Sequence, residues 1–341
     1  MKVARLYDYL DVRIEDAPVP TPGPREALVR ARACGICSGD VVPWYIRKKA
    51  PLVFGHEPAG EVVEVGAEVT HLRPGDRVFV HHHAPCFRCR ACQRGEFVQC
   101  PTWRTSQIVP GGMAEFFLVP EVNLYGDTLC LPASVSDEDG ALVEPTACVV
   151  KSLTRAGQVS GATVLIIGLG VMGQLHVVLA RHLGARRIIG ADLVPARCAH
   201  ARTLGADLVL DASTGDLPAQ IAAATAGEGC EIVIAGPATV EAIEIALACV
   251  AKGGTVVQFM GTPADARLSL STFDVYFREI RLVPSYSCGP VETRAALDFI
   301  ARGVIAAAQV VTHRFPLDAA GEAYRVAALD RTAIKTLVCF A

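Results

Sequence analysis

The sequence predicts an α/β chain of two domains, the first β-rich and irregular, the second a doubly wound parallel sheet. Three observations carry that prediction. The chain has 341 residues, and at about 150 residues per domain two domains are expected. Up to about residue 145 it runs in short β-rich segments broken by turn chemistry. From Thr163 onward, apolar strand-like runs alternate with Ala-rich helical stretches, the signature of βαβ units.

Taken in order, PVPTPGP (18–24) is a stiff connection, and ALVRARA from Ala27, GEVVEVG (60–66), RPGDRVFV (73–80) and AEFFLVP (114–120) read as strands of an irregular barrel. The second domain follows as TVLII, VMGQLHVVLARHLG, RIIGAD, PARCAHARTLG, DLVLD, EIVIA, VEAIEIALACVAKGG and TVVQFMG. Gly184, Gly205 and Gly253 each follow a helical stretch, where a C′ residue takes positive φ, and Pro195 suits a first helical turn. Beyond residue 289 come a helix (ETRAALDFIARG), a strand (AAQVVTHRF), a second helix and a final strand, IKTLVCF. This tail is expected to return to the first domain, because a two-domain enzyme needs its crevice closed by both. The expected boundaries are 1–149, 150–288 and the returning tail 289–341, with a cysteine lobe at about 85–101.

Hydrophobic residues make up 51% and charged residues 20%, with Gly at 30 and Pro at 21, which excludes disordered and collagen-like chains. A net charge of −3 offers no basic field for a phosphate backbone or an anionic bilayer. No apolar run approaches the roughly 20 residues that span hydrocarbon, and MKVARLYDYLDVR has no long apolar core. The expectation is a cytoplasmic protein with a small-molecule substrate and neither nucleic acid nor membrane as partner. The 13 cysteines are odd in number, so a fully paired disulfide framework is excluded.

Gly168-Leu169-Gly170-Val171-Met172-Gly173 follows an apolar strand and opens a helix, the context in which G-x-G-x-x-G signals dinucleotide binding. Gly168 permits the tight turn, Gly170 lets the backbone approach a pyrophosphate, and Gly173 lets helix pack on strand. The first helical turn, with Val171 and Met172, turns its N–H groups toward the phosphates. Asp192 ends the next strand, 19 residues after Gly173, where a carboxylate meets the adenosine ribose. It selects NAD over NADP by repelling a 2′-phosphate, although Arg197 could neutralise extra charge.

Cys86, Cys89, Cys92 and Cys100 fall within 15 residues, enough thiolates to close a tetrahedral structural zinc site. A second, scattered set comprises Cys37 in CGICSGD, His56 and Glu57 in GHEPAG, and Glu144 in ALVEPTAC. One thiolate, one imidazole and one carboxylate leave a fourth zinc position open for chemistry.

In this order, GHEPAGEVVEVG, PGDRV, the four-cysteine loop, GGMAEFFLVP, the EP motif and GLGVMG resemble the zinc-dependent medium-chain alcohol dehydrogenases, above all the polyol (sorbitol-type) and threonine dehydrogenase branch. The resemblance covers essentially the whole chain. It implies a GroES-like domain completed by the C-terminal tail, a Rossmann NAD-binding domain, a zinc in the cleft between them, and a homo-oligomer, dimer or tetramer. By the same resemblance Cys37, His56 and Glu144 are the catalytic zinc ligands. Glu57 is the adjoining carboxylate that can approach the metal, and Asp40 is the carboxylate that orients the histidine. Two zinc ions per chain and NAD are the implied cofactors.

The chain departs from the family at the proton relay. Family members that oxidise alcohols usually carry Ser or Thr two residues after the zinc cysteine and often His five residues after it; here these positions are Gly39 and Val42. Ser38, one place early, and the run His81-His82-His83 are the candidates to replace them, and Trp44, Tyr45 and Trp103 are candidates to line the substrate pocket or to pack the core. The expected activity is hydride transfer between a secondary alcohol, a polyol or other small hydroxylated metabolite, and NAD. The alternatives are reduction of an activated C=C or C=N bond on the same scaffold and, more remotely, a non-catalytic NAD-binding protein.

Overall fold

A computed structural model describes all residues, Met1 to Ala341. In chain order the strands are β1 (Lys2–Asp8), β2 (Asp11–Asp16), β3 (Ala27–Gly35), β4 (Leu52–Val53), β5 (Glu57–Val65), β6 (Arg77–Val80), β7 (Phe116–Val119) and β8 (Thr128–Cys130). They continue as β9 (Thr163–Ile167), β10 (Arg187–Asp192), β11 (Leu208–Asp211), β12 (Cys230–Ala235), β13 (Val250–Gln258), β14 (Arg281–Pro284), β15 (Val311–Pro316) and β16 (Lys335–Cys339). Two compact units result, Met1–Ala147 with Cys288–Ala341, and Cys148–Ser287.

The first unit is the GroES-like, β-rich part. A 7-stranded sheet runs in the order β15-β16-β3-β5-β6-β8, with β7 joined to β3, and a 3-stranded sheet runs β2-β1-β4. Pairing is antiparallel except between β15 and β16. The alternation of small and branched residues in ALVRARACG turns Val29 and Ala31 into one buried cluster with Val62, Val78 and Phe117. Cys34 at the strand's end joins another with Phe54, Met113 and Tyr324. The final strand, β16, lies antiparallel to β3, with Val338 opposite Cys34.

The second unit is Rossmann-like, six parallel strands in the order β11-β10-β9-β12-β13-β14. The order reverses between β9 and β12, and ligands of such sheets bind at the carboxyl ends of the strands at that switch point. Every residue of β9 is buried, as expected of a central parallel strand. Gly184 and Gly205 take positive φ just past their helices, where a C′ glycine is favoured.

Gly253 differs from expectation. The helix Val240–Cys249 stops earlier, and VAKGG opens β13. Pairing with β12 shifts register between Cys230 and Ile232, so Gly253, at φ +72, is the left-handed residue of an irregular strand entry rather than of a helix C-terminus. No helix is long and apolar enough to cross a membrane.

Candidate active site and metal centres

Cys37 follows β3 in a tight turn, and His56 and Glu57 stand at the start of β5, which pairs with β3 through Gly35 and Glu57. That pairing brings the ligand atoms of Cys37, His56 and Glu57 within 4.8 Å of one another. The Gly39 N–H donates to Cys37 Sγ at 3.3 Å. Asp40 Oδ2 lies 3.2 Å from His56 Nδ1, the carboxylate–imidazole contact that fixes a tautomer and leaves Nε2 to bind a metal. Burial opposes charge on His56, but Asp40 and Cys37 more than offset it and hold its pKa well above the ordinary value. Ser38 and Gly39 occupy the turn itself.

The C-terminal segment holds this centre from behind. Tyr324 Oη donates to the Asp40 carbonyl at 2.6 Å. Lys335 Nζ donates to the Ile36 carbonyl at 3.0 Å and forms a buried ion pair with Glu57. A Cβ on Gly35 would lie 1.7 Å from Glu57 Oε2 and 2.8 Å from Lys335 Nζ, so only glycine leaves room for the pair.

Glu144 opens the helix Val143–Ala156 and is grouped differently from the set given by the resemblance. Its carboxylate is within 4.8 Å of His81 and Cys288, and these three form a separate donor group. His81 is fully buried, with Nδ1 2.7 Å from Asp127 Oδ2. His82 lies with its ring centroid 4.7 Å from that of His56, and His83 lies 3.8 Å from His82. Burial, then the neighbouring imidazoles, push His82 well below its ordinary pKa. Burial pushes His83 down to about 3 although it bonds the Ser106 carbonyl. Trp103 is a core residue of the cysteine lobe, 2% exposed beside Val98, Cys92 and Cys100. Trp44 and Tyr45, on the short helix Pro43–Ile46, are half-buried with Lys48 and Lys49 over their rings.

The four Sγ atoms of Cys86, Cys89, Cys92 and Cys100 also lie within 4.8 Å of one another. Backbone N–H groups of Arg88 and Cys89 lower the Cys86 thiol to about 6, which prepares a thiolate for a cation. The donor chemistry of the four-thiol group and of the Cys37, His56 and Glu57 group therefore suits zinc.

In the second unit, Gly168 takes φ +88, and a Cβ on Gly173 would meet the Gly168 carbonyl at 2.0 Å. Gly170 caps the helix Val171–His182, and a Cβ there would meet only Arg197, at 3.8 Å, so a pyrophosphate can reach the backbone. Asp192 Oδ2 accepts from Leu169 N–H at 2.6 Å and Oδ1 from Val194 N–H at 2.8 Å. Gln174, which no sequence motif singled out, donates to the Leu169 and Arg197 carbonyls at 2.8 and 3.0 Å and so fixes the loop.

The profile of the alcohol dehydrogenase GroES-like domain matches residues 23–127, and that of the zinc-binding dehydrogenases matches residues 171–302. The sorbitol dehydrogenase of Gallus gallus is 33% identical across 92% of this chain and 89% of its own length. The chain belongs to the zinc-dependent medium-chain alcohol dehydrogenase family. Solved dehydrogenases of this family share its architecture. A Sinorhizobium meliloti protein classed as a zinc-binding dehydrogenase and bound to NADP superposes with a TM-score of 0.89 at 31% identity, covering 99% of this chain and 98% of its own. The 2R,3R-butanediol dehydrogenase of Bacillus subtilis gives 0.86 at 25% identity, over 99% of each chain. Among the residues that serve this dehydrogenase's candidate centre, Tyr324, Lys335, Asp127 and Cys288 were not found from the sequence. The one available signal was Lys335, a lone charge in the apolar run IKTLVCF.

Proposed function

We propose that this dehydrogenase transfers hydride between a secondary alcohol, a polyol or other small hydroxylated metabolite, and NAD. The observation that carries the reading is the convergence of Cys37, His56 and Glu57, with Asp40 behind the histidine. Cys37 and His56 would hold a zinc, with a carboxylate as third ligand: Glu57 by its position, or Glu144 by the resemblance. The four lobe cysteines would hold a second. When bound, zinc supplies Lewis acidity to the substrate oxygen, and NAD accepts the hydride.

The chain's own residues do the rest. Asp40 orients His56, Lys335 fixes Glu57, and the Gly168–Gly173 turn receives the pyrophosphate on the helix N-terminus. Asp192, anchored by two amide donors, keeps lone pairs for the ribose hydroxyls and repels a 2′-phosphate; the NADP-bound relative and nearby Arg197 make this the point to test. In this reading Ser38, one of His81, His82 and His83, or ordered water takes up the alcohol proton. The same proposal places the protein in the cytoplasm as a dimer or tetramer, and exposed Phe273, Tyr276 and Phe277 supply apolar surface for a second copy.

Gly39 and Val42 at the usual relay positions favour one second reading, reduction of an activated C=C or C=N bond, which releases no alcohol proton. The test is an NAD-linked screen of polyols, amino alcohols and simple secondary alcohols. Cys37→Ala should abolish turnover and remove one metal equivalent with the fold kept, and Asp192→Ser should narrow the NAD to NADP ratio of kcat/KM. Turnover of unsaturated substrates alone would overturn the alcohol reading.

A further inference from the structure

Gln174 stands directly after Gly173 in the helix Val171–His182 and is fully buried, at 0% exposure. A polar side chain interior to a helix is kept in such a place only if its hydrogen bonds are made. Its amide nitrogen donates twice, to the Leu169 carbonyl at 2.8 Å and to the Arg197 carbonyl at 3.0 Å. Its Oε1 is buried and meets no donor of the chain, so the nitrogen's two bonds alone set the orientation of the amide. Neither bond stays within the helix. One returns to the turn that precedes it, and the other crosses to the first turn of the helix Pro195–Thr203, where a carbonyl already engaged in a helix has a second lone pair to offer.

Asp192 makes the matching pair of bonds. Its Oδ2 accepts from the Leu169 N–H at 2.6 Å and its Oδ1 from the Val194 N–H at 2.8 Å. Leu169 is thus held at both of its backbone polar groups, the N–H by Asp192 and the C=O by Gln174. The connection that follows β10 is held by the same two side chains, at Val194 and at Arg197. Gly168 N–H adds a third tie, donating to the Ala191 carbonyl at 2.8 Å. The phosphate turn and the connection that meets the adenosine ribose are therefore one block. Arg197 rides on it, and its Nη1 stands 3.8 Å from the position of a Cβ on Gly170, beside the backbone that receives a pyrophosphate. A guanidinium confined there is withheld from a phosphate on the ribose 2′-oxygen, which lies on the Asp192 side.

We infer that Gln174 is a positioning residue for the dinucleotide: it clamps the Gly168–Gly173 turn to the segment bearing Arg197, and by confining Arg197 it sharpens the choice of NAD over NADP. Gln174 itself touches no cofactor in this scheme. It acts through the Leu169 carbonyl, which sets the pitch of the turn, and through the Arg197 carbonyl, which sets where the guanidinium begins. Asp192 repels a 2′-phosphate by charge, and Gln174 denies that phosphate its nearest counter-ion. The inference rests on the reading that this turn receives NAD.

The experiment compares the full chain with Gln174→Met, which keeps the length of the side chain and removes both bonds. Calorimetric titration should show the Kd for NAD raised about tenfold, as expected for two lost hydrogen bonds that act through position. The Kd for NADP should rise less or fall, so that the NAD to NADP ratio narrows, and KM for NAD should change far more than kcat. Adding Arg197→Ala to Gln174→Met should restore the ratio by removing the freed guanidinium. Hydrogen–deuterium exchange without cofactor should quicken in residues 168–173 and 193–198 together. Val177→Ala, at an equally buried apolar position of the same helix, supplies the control for a loss of stability alone and should move neither the ratio nor the paired exchange. Unchanged affinities and exchange in Gln174→Met, or the same changes in Val177→Ala, would overturn the inference. A parent chain that binds neither dinucleotide, with the two segments still loosening together in Gln174→Met, would instead sink the cofactor reading and leave the clamp standing.

Discussion

Gly35 marks the place where the candidate centre tolerates no side chain at all. Its missing Cβ is the space in which Glu57 meets Lys335, and both of those side chains are 1% exposed. Parting a buried pair leaves each charge without a counter-ion, at a cost of about 3 kcal/mol or more. Gly35→Ala should therefore lower the urea midpoint by a corresponding amount and loosen the metal held with Cys37, whereas Gly75→Ala, whose Cβ meets nothing within 4 Å, should show only the cost of its positive φ. At this scale the sequence was informative where ligands sit in short motifs: Cys37, Asp40, His56 and Glu57 could be named because they stand in CGICSGD and GHEPAG, motifs that carry the family resemblance. Lys335 could not, because it reaches Glu57 from 278 residues away. Glu144 was assigned by family pattern, and the pattern contains no information on Cys288, which approaches it only after the whole second unit has been traversed.

Among elements, the connection from the helix Pro195–Thr203 to β11 shows how a single carboxylate joins a strand to a helix. Asp207 accepts from the Ile188 N–H at 2.7 Å and pairs with Arg181 at 2.6 Å, tying the start of β10 to the end of the helix Val171–His182. Burial raises its pKa, but the amide and the guanidinium outweigh that and hold it below the ordinary carboxylate value. A carboxylate whose folded pKa is depressed stabilises the fold above its unfolded pKa, near 3.9, and that stability is lost as pH falls through the folded value. Asp207→Asn should then cost about 1 kcal/mol at neutral pH, a modest figure because the pair is part-exposed. The gap between variant and parent in urea denaturation should close below about pH 4.

The cysteine lobe makes the opposite point, since its apolar core is confined to Val98, Trp103, Phe97 and the cysteines themselves, too little to order it alone. Chelation, or Cys89→Ala, should expose residues 86–100 to limited proteolysis while the far-ultraviolet circular dichroism of the rest persists. Periodicity made five of the six parallel strands legible, because each is an apolar run set beside a helical stretch; β14, the short RLVP with no fully buried residue, was not among them. Periodicity failed at VAKGG, where alanine and lysine continue a helical composition although the chain has already entered β13; a register shift against β12 decides that matter, and register is a tertiary property.

On the scale of the molecule, the decisive feature is that the first unit is assembled from both ends of the chain, with the second inserted between Ala147 and Cys288. Composition and length pointed to two domains, but the pairing of β16 with β3 follows from no local signal in IKTLVCF. It has a consequence for biosynthesis. A ribosome delivers the inserted unit whole while the first is still waiting for its last strand, so the Rossmann-like sheet can close early, as domains emerging during translation generally do. Until residues 335–339 emerge, the Ala33–Gly35 edge of β3 lacks its β16 neighbour and Glu57 has no ammonium to meet, both beside Cys37. An unpaired strand edge invites association with other chains. The growing polypeptide is thus most vulnerable beside Cys37, His56 and Glu57, and it stays so until β16 has been added.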